Sequence, residues 1–78
     1  MQITMKDGRK FSGTPVQIVQ GMRSVAFDKQ DATLEEYARW VVDNVARNDE
    51  ISLSVSGSSD EEICAGLVNE LLRAGLAT

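Results

Sequence analysis

The chain has 78 residues, of which 42% are hydrophobic, and a formal net charge of −4. This length and composition predict one folded domain near the lower size limit for a stable core, and they exclude wholesale disorder. The apolar runs are far too short to cross a bilayer, and the first residues lack the charged start and long apolar stretch of a secretory signal.

The charge is distributed unevenly along the chain. Residues 1–30 hold five basic and two acidic residues, which gives +3, whereas residues 31–78 hold three basic and ten acidic residues, which gives −7. An acidic total argues against general nucleic-acid binding, which depends on Lys and Arg side chains that neutralise phosphates. The basic first part of the chain keeps a local nucleic-acid contact open as an alternative.

Residues 2–12 are predicted to form a β-hairpin. Apolar and polar residues alternate on both sides of Asp7-Gly8, and this pair is favoured at the two central positions of a type I′ turn. Phe11 is expected to point inward from the second strand, with polar neighbours facing away.

Two helices are predicted after the hairpin. Thr14 caps the first helix, with Pro15 at its first position, and Thr33 caps the second, which runs to about Arg47. In both helices a Gln or Glu three residues after the cap completes a capping box. Gly21 inside the first helix costs about 1 kcal/mol relative to alanine, and either a close backbone contact or chance explains it. The apolar face of the first helix is predicted to hold Ile18, Val19, Met22, Val25 and Ala26.

The last third of the chain is predicted to be a strand followed by a helix. Apolar residues and serines alternate strictly over Ile51–Ser56, as in a half-buried strand. A third helix is predicted to start at a cap on Ser58 or Ser59. Gly75 should end it in the left-handed conformation, with Leu76 folding back onto the helix.

The predicted fold is therefore α+β, with the element order ββααβα. The two-helix connection is long enough for a crossover, so the third strand is expected beside the first. This gives a small three-stranded sheet of order 2-1-3 with all three helices packed on one face. As the edge of that sheet, the third strand would have backbone groups to which a partner's strand can add. The rival arrangement is a hairpin standing apart from a helical bundle, as in winged-helix proteins.

The sequence predicts no catalytic, cofactor-binding or metal site. It contains no histidine, the usual proton shuttle near neutral pH and the commonest metal ligand. Its single cysteine, Cys64, falls on the apolar face of the third helix, where a buried thiol behaves as a small hydrophobic group. A cysteine without a partner is typical of a reducing compartment. We therefore predict a cytoplasmic protein that is not an enzyme.

The second helix is the candidate partner surface. It carries Tyr37, Arg39, Trp40 and Arg47, and aromatic and arginine side chains dominate the energetics of protein interfaces. Use of the two aromatic residues in the core is the competing interpretation. We predict a small interaction or regulatory module that binds an unknown partner protein or a second copy of the chain.

The basic hairpin is the alternative binding surface. Lys6, Arg9 and Lys10, together with Arg23, would contact nucleic acid in the manner of a wing. Binding through such phosphate contacts should weaken steeply as salt rises, whereas an apolar interface should respond little.

Four stretches, Lys6–Pro15, Ile18–Val19, Leu34–Tyr37 and Arg73–Leu76, resemble a group of short uncharacterised bacterial proteins. The resemblance covers most of the chain, but the matching residues are those of turns and helix caps. It implies one small folded bacterial domain and brings no activity with it.

Overall fold

The computed structural model describes residues 1–78 as a small α+β domain. Its elements are β1 (Gln2–Thr4), β2 (Lys10–Ser12), α1 (Pro15–Val25), α2 (Leu34–Asn48) and α3 (Asp60–Arg73). The predicted three-stranded sheet of order 2-1-3 is wrong, because the only sheet is the antiparallel pair of β1 and β2.

The end of the chain occupies the edge of β1 where the third strand was predicted. The Thr4 N–H donates to the Thr78 carbonyl at 2.8 Å, and the Thr78 N–H donates to the Thr4 carbonyl at 2.9 Å. Met5 and Ala77 form an antiparallel bridge next to this pair. Because these hydrogen bonds use the free side of β1, no edge remains there for residues 51–56.

A turn after α3 sends the chain back to β1. Gly75 has a φ of 75°, which confirms the predicted left-handed end of the helix. The Leu76 N–H donates to the Leu71 carbonyl at 2.9 Å, and the Gly75 N–H donates to the Leu72 carbonyl at 3.2 Å. These are the two hydrogen bonds of a Schellman motif, which favours glycine because a Cβ is costly in the left-handed conformation.

The hairpin is confirmed over residues 2–12, but its turn differs from the prediction. The Met5 N–H donates to the Arg9 carbonyl at 2.8 Å, and the Gly8 N–H donates to the Met5 carbonyl at 2.9 Å, so the loop has three residues. Gly8 has a φ of 92°, whereas Asp7 does not have a positive φ. A type I′ turn needs positive φ at both positions, and a three-residue loop with a left-handed glycine is the common alternative.

The predicted helix starts are confirmed. Thr14 and Thr33 each accept the backbone N–H of the third helical residue, whose side chain accepts the N–H of the cap, so both capping boxes form. Ser59, rather than Ser58, caps α3. The second helix ends at Asn48, one residue beyond its predicted end.

The core is centred on α3, which packs against both α1 and α2. The largest completely buried side chains are Ile3, Ile18, Val19, Cys64, Leu67, Val68 and Leu71. Since Ile3 of β1 is among them, the hairpin is part of the core and does not stand apart from the helices.

Gly21 brings the hairpin close to α1. A Cβ at this position would lie 3.0 Å from Cδ1 of Phe11, closer than an ordinary van der Waals contact. The close contact that we considered for Gly21 is therefore made with the side chain of Phe11 rather than with a backbone.

Residues 51–57, which we call the 51–57 segment, are extended but belong to no sheet. Leu53 is buried, whereas Ser52, Ser54 and Ser56 are exposed, so the alternating pattern predicted the burial correctly. The segment contains no turn or bend, and its backbone makes no hydrogen bond to any other backbone group.

Two charged side chains of α3 hold the 51–57 segment in place. The Ser54 N–H donates to Glu70 Oε1 at 2.8 Å, and Arg73 Nη2 approaches the Ser52 carbonyl at 3.4 Å. Arg73 Nε also lies 2.7 Å from Glu70 Oε2. The hydrogen bonds from Arg73 and then from Ser54 favour the ionised carboxylate, and they lower the pKa of Glu70 to about 2.

Candidate partner-binding groove

An open apolar groove of about 470 Å³ lies between the hairpin and α2. Its volume is in the range of natural binding pockets. We call it the Trp40 groove. Its apolar lining residues are Met5, Phe11, Met22, Val25, Ala26, Tyr37, Trp40, Val41, Val45, Leu71 and Leu76. The hairpin, the end of α1, one side of α2 and the end of α3 therefore build it together.

Two aromatic residues of α2 lie in this groove at different depths. Their spacing of three puts Tyr37 and Trp40 on the same side of the helix, with ring centroids 5.8 Å apart and planes inclined at 31°. Tyr37 is only 4% exposed, and burial raises the pKa of its phenol. Trp40 is half-buried. Tyr37 therefore belongs to the core, whereas Trp40 presents part of its indole to the groove.

A lysine from the connection between α1 and α2 lies over the Trp40 ring. Lys29 Nζ is 5.0 Å from the ring centroid, the geometry of a cation–π contact, which contributes about 0.5–1 kcal/mol at an exposed site. This contact favours a position of the indole beside the α1–α2 connection.

Two exposed apolar side chains lie at the end of α1 and just after it. Val25 lines the groove and is 50% exposed, and Phe27, two residues later, is 86% exposed. Helical periodicity placed Val25 on the inner face of the first helix, but it is the last helical residue, where α1 leaves the core. Phe27 was not singled out. In the sequence, Phe27 is noticeable only as an aromatic residue at the start of a polar connection. No periodicity there predicts whether its side chain points inward or outward.

Polar residues form the rim of the groove. Lys6, Asp7, Arg9, Asn44 and Asp49 lie around it, and Arg9 Nε is 3.6 Å from Asp7 Oδ2. An apolar centre with a polar rim of both charges is the usual composition of a protein–protein interface.

No family model, curated protein or solved structure matches this chain. The resemblance of Lys6–Pro15 to short bacterial proteins therefore stays a prediction. The geometry of the groove and the placement of the charged residues are the observations that bear on function.

The four residues of the predicted partner surface do not lie on one surface. Tyr37 and Trp40 lie in the groove. Arg39 lies on another side of α2, where its Nη2 is 2.8 Å from Glu35 Oε2. Arg47 is exposed near the end of α2 and forms no ion pair. The rotation of about 100° per residue turns Arg39 away from Trp40. Arg47, seven residues after Trp40, returns to nearly the same side of the helix about two turns further along, but it does not line the groove.

Two of the four basic residues of the alternative nucleic-acid surface interact with other groups of the chain. Arg23 is half-buried, and its Nη1 donates to the Ala32 carbonyl at 2.8 Å, which ties α1 to the following connection. Arg9 lies beside an aspartate of its own turn. Lys6 and Lys10 are exposed without an ion pair. The structure therefore provides two unpaired lysines on the hairpin rather than a continuous basic patch.

The single cysteine is part of the core of α3. Cys64 is completely buried, and this burial, followed by the nearby carboxylates of Asp60 and Glu61, raises the pKa of its thiol. No group of three or more cysteine and acidic side chains is arranged to hold a metal ion. None of the three helices combines the length and the apolar character needed to cross a membrane.

Proposed function

We propose that this protein is a small non-enzymatic interaction module that binds a partner protein through the Trp40 groove. The observation that supports this proposal is the apolar groove itself, in which a partly buried tryptophan, Trp40, and a half-exposed valine, Val25, remain in contact with solvent. Burial of apolar surface is favourable by about 25 cal/mol per Å², and tryptophan is among the commonest residues at the energetic centre of interfaces.

The partner that fits this groove presents apolar side chains at its centre and polar groups around them. Lys6 and Arg9 on one side of the rim and Asp49 on the other can pair with charges of either sign. We place the complex in the cytoplasm, because Cys64 is a thiol without a disulfide partner and such proteins are typical of reducing compartments.

The nucleic-acid alternative has weaker support. Only Lys6 and Lys10 of its four basic residues are exposed and unpaired, and the whole chain has a net charge of −4. Phosphate binding requires several cationic side chains that act together.

Trp40→Ala is expected to weaken partner binding by roughly 10–30-fold, because an interface centre of this kind contributes about 1.4–2 kcal/mol or more. Proteins from a lysate of the source cells would be enriched on the immobilised chain and quantified. Each enriched protein would then be purified and titrated against wild type and variants. Arg39→Ala is the matched control, since Arg39 lies on another side of the same helix, outside the groove, and this variant should bind like wild type.

Equal binding by Trp40→Ala and wild type, with both proteins folded by circular dichroism, would contradict the proposed role of the groove. Binding that depends on Lys6 and Lys10 and falls steeply with salt would instead favour the nucleic-acid alternative.

A further inference from the structure

Few interactions hold the 51–57 segment in its place. Its backbone groups bond to no other backbone group. Its fixed points are the hydrogen bonds that join Ser54 to Glu70 and Ser52 to Arg73, and the side chain of Leu53, the only buried residue among the seven. Parts of a protein with few buried apolar contacts and a low density of contacts open at a lower free energy than the fold as a whole.

Two unusual backbone conformations bound the 51–57 segment. Glu50, directly before it, has a φ of 55°, in the left-handed region that a residue with a Cβ rarely adopts. Gly57, at its end, has a φ of 155°, and a glycine changes its backbone angles more freely than any other residue. Hinges in proteins are a few such positions that absorb a change in φ and ψ. An outward movement of the segment would let Glu50 return to an ordinary conformation.

An open groove gives the 51–57 segment room to move. It has a volume of about 530 Å³ and lies between the segment and α2, with Leu53 and Val55 on one side and Ala38 and Val42 on the other. On the α3 side, the segment lies over Gly66, where an added Cβ would meet Cγ1 of Val55 only at 3.8 Å. Movement of the segment away from α3 therefore requires no helix to unfold.

We propose that the 51–57 segment is a strap that opens away from α3 as a unit, about hinges at Glu50 and Gly57, while the helices and the hairpin stay folded. Opening takes one side chain, Leu53, out of a core of 16 buried residues. The hydrogen bonds of Glu70 and Arg73 form a latch that keeps the strap closed.

Opening of the strap changes the shape of the groove beside it. Leu53 lines this groove, so its departure widens the groove toward α3. The groove shares no lining residue with the Trp40 groove, and the strap proposal does not depend on binding at the Trp40 groove.

Thiol labelling of the Leu53→Cys variant tests whether the strap opens by itself. The natural cysteine, Cys64, is completely buried and lies two residues before Gly66, on nearly the opposite side of α3 from the strap. It therefore reports opening of the core in the same molecule. Without urea, the thiol introduced at position 53 should react at least about tenfold faster than Cys64, because opening of the strap exposes much less surface than unfolding. Its rate should change little with urea below the unfolding transition, whereas the rate at Cys64 should rise steeply.

Glu70→Ala, made in the Leu53→Cys variant, tests the latch. It should speed the reaction at position 53 about tenfold, because hydrogen bonds to an ionised carboxylate are among the stronger ones and these exist only in the closed strap. Glu61→Ala is the matched control, since it removes an exposed carboxylate from the same helix that forms no ion pair. This control should leave the rate at position 53 unchanged.

Hydrogen exchange of the wild-type chain repeats the comparison without Leu53→Cys. The Ser54 amide, which donates to Glu70, should exchange with little dependence on urea below the unfolding transition. The amides of Leu67 and Val68 in α3 should show the strong urea dependence of complete unfolding.

Two results would overturn the proposal. The first is an equal urea dependence at position 53 and Cys64, or at Ser54 and Leu67, because the segment would then open only when the whole chain unfolds. The second is an equal reaction rate at position 53 in the Glu70→Ala and Glu61→Ala variants, which would leave the strap without its latch.

Discussion

Leu67→Ala is expected to lower the free energy of unfolding by roughly 2–5 kcal/mol, the usual cost of removing a buried leucine side chain. Leu67 is completely buried on α3, the helix that packs against both other helices. A chain of 78 residues has a total stability of roughly 4–12 kcal/mol at ordinary values per residue. The substitution should therefore remove a large part of the stability of the fold.

Urea unfolding followed by circular dichroism measures this loss. Leu72→Ala is the matched control, because it is the same substitution on the same helix at a half-buried position. We expect it to cost less than half as much as Leu67→Ala. Equal costs at the two positions would contradict the central place of Leu67 in the core.

Gly57→Ala is expected to lower the free energy of unfolding by roughly 2–6 kcal/mol, from backbone strain and overpacking of roughly 1–3 kcal/mol each. Gly57 has a φ of 155°, and a Cβ there would lie 2.7 Å from Cβ of Glu62 and 3.1 Å from the backbone nitrogen of Ile63. That nitrogen donates to the Ser59 carbonyl at 3.0 Å. The first turn of α3 would therefore have to move to admit the methyl group.

Gly66→Ala is the control for Gly57→Ala, because it is expected to change the stability of the fold in the opposite direction. A Cβ at Gly66 would meet only Cγ1 of Val55 at 3.8 Å and the Ser56 carbonyl at 3.9 Å, which are ordinary contacts. Alanine is the better helix former by about 1 kcal/mol, so this variant should be as stable as wild type or more stable. Equal losses in the two variants would show that the packing around the 51–57 segment differs from the structure described above.

The helix starts were predictable because their signals are local. A cap at Thr14 or Thr33 needs only its own side chain and a glutamine or glutamate three residues later, and both partners are visible in the sequence. The end of α3 at Gly75 is equally local, since its hydrogen bonds join residues no more than five apart.

The partner of the free edge of β1 was not predictable, because the residues that pair there are distant in sequence. The alternation over Ile51–Ser56 specifies which side chains are buried, but it does not specify what the backbone bonds to. A competing segment, Ala77–Thr78, is too short to show any period, yet the turn at Gly75 carries it directly to β1. The sequence also does not reveal that Glu70 and Arg73 hold the backbone of the 51–57 segment from the side.

The candidate site was predictable only in part. Helical spacing places Tyr37 and Trp40 together, whereas the opposite wall of the groove depends on how Met5 and Phe11 of the hairpin pack against the helices. Asp7-Gly8 fits both a two-residue and a three-residue loop, so the register of the hairpin was not determined by its turn residues alone.

A nuclear Overhauser spectrum of a dilute sample tests most directly whether the end of the chain closes the sheet and leaves the 51–57 segment unpaired. Met5 and Ala77 lie opposite each other in an antiparallel bridge at a position without mutual backbone hydrogen bonds, where Cα atoms are only about 4.5 Å apart. We expect a strong cross-peak between their α-protons and none between β1 and Leu53 or Val55. Cross-peaks that join β1 to Leu53 or Val55, without one between Met5 and Ala77, would contradict this arrangement.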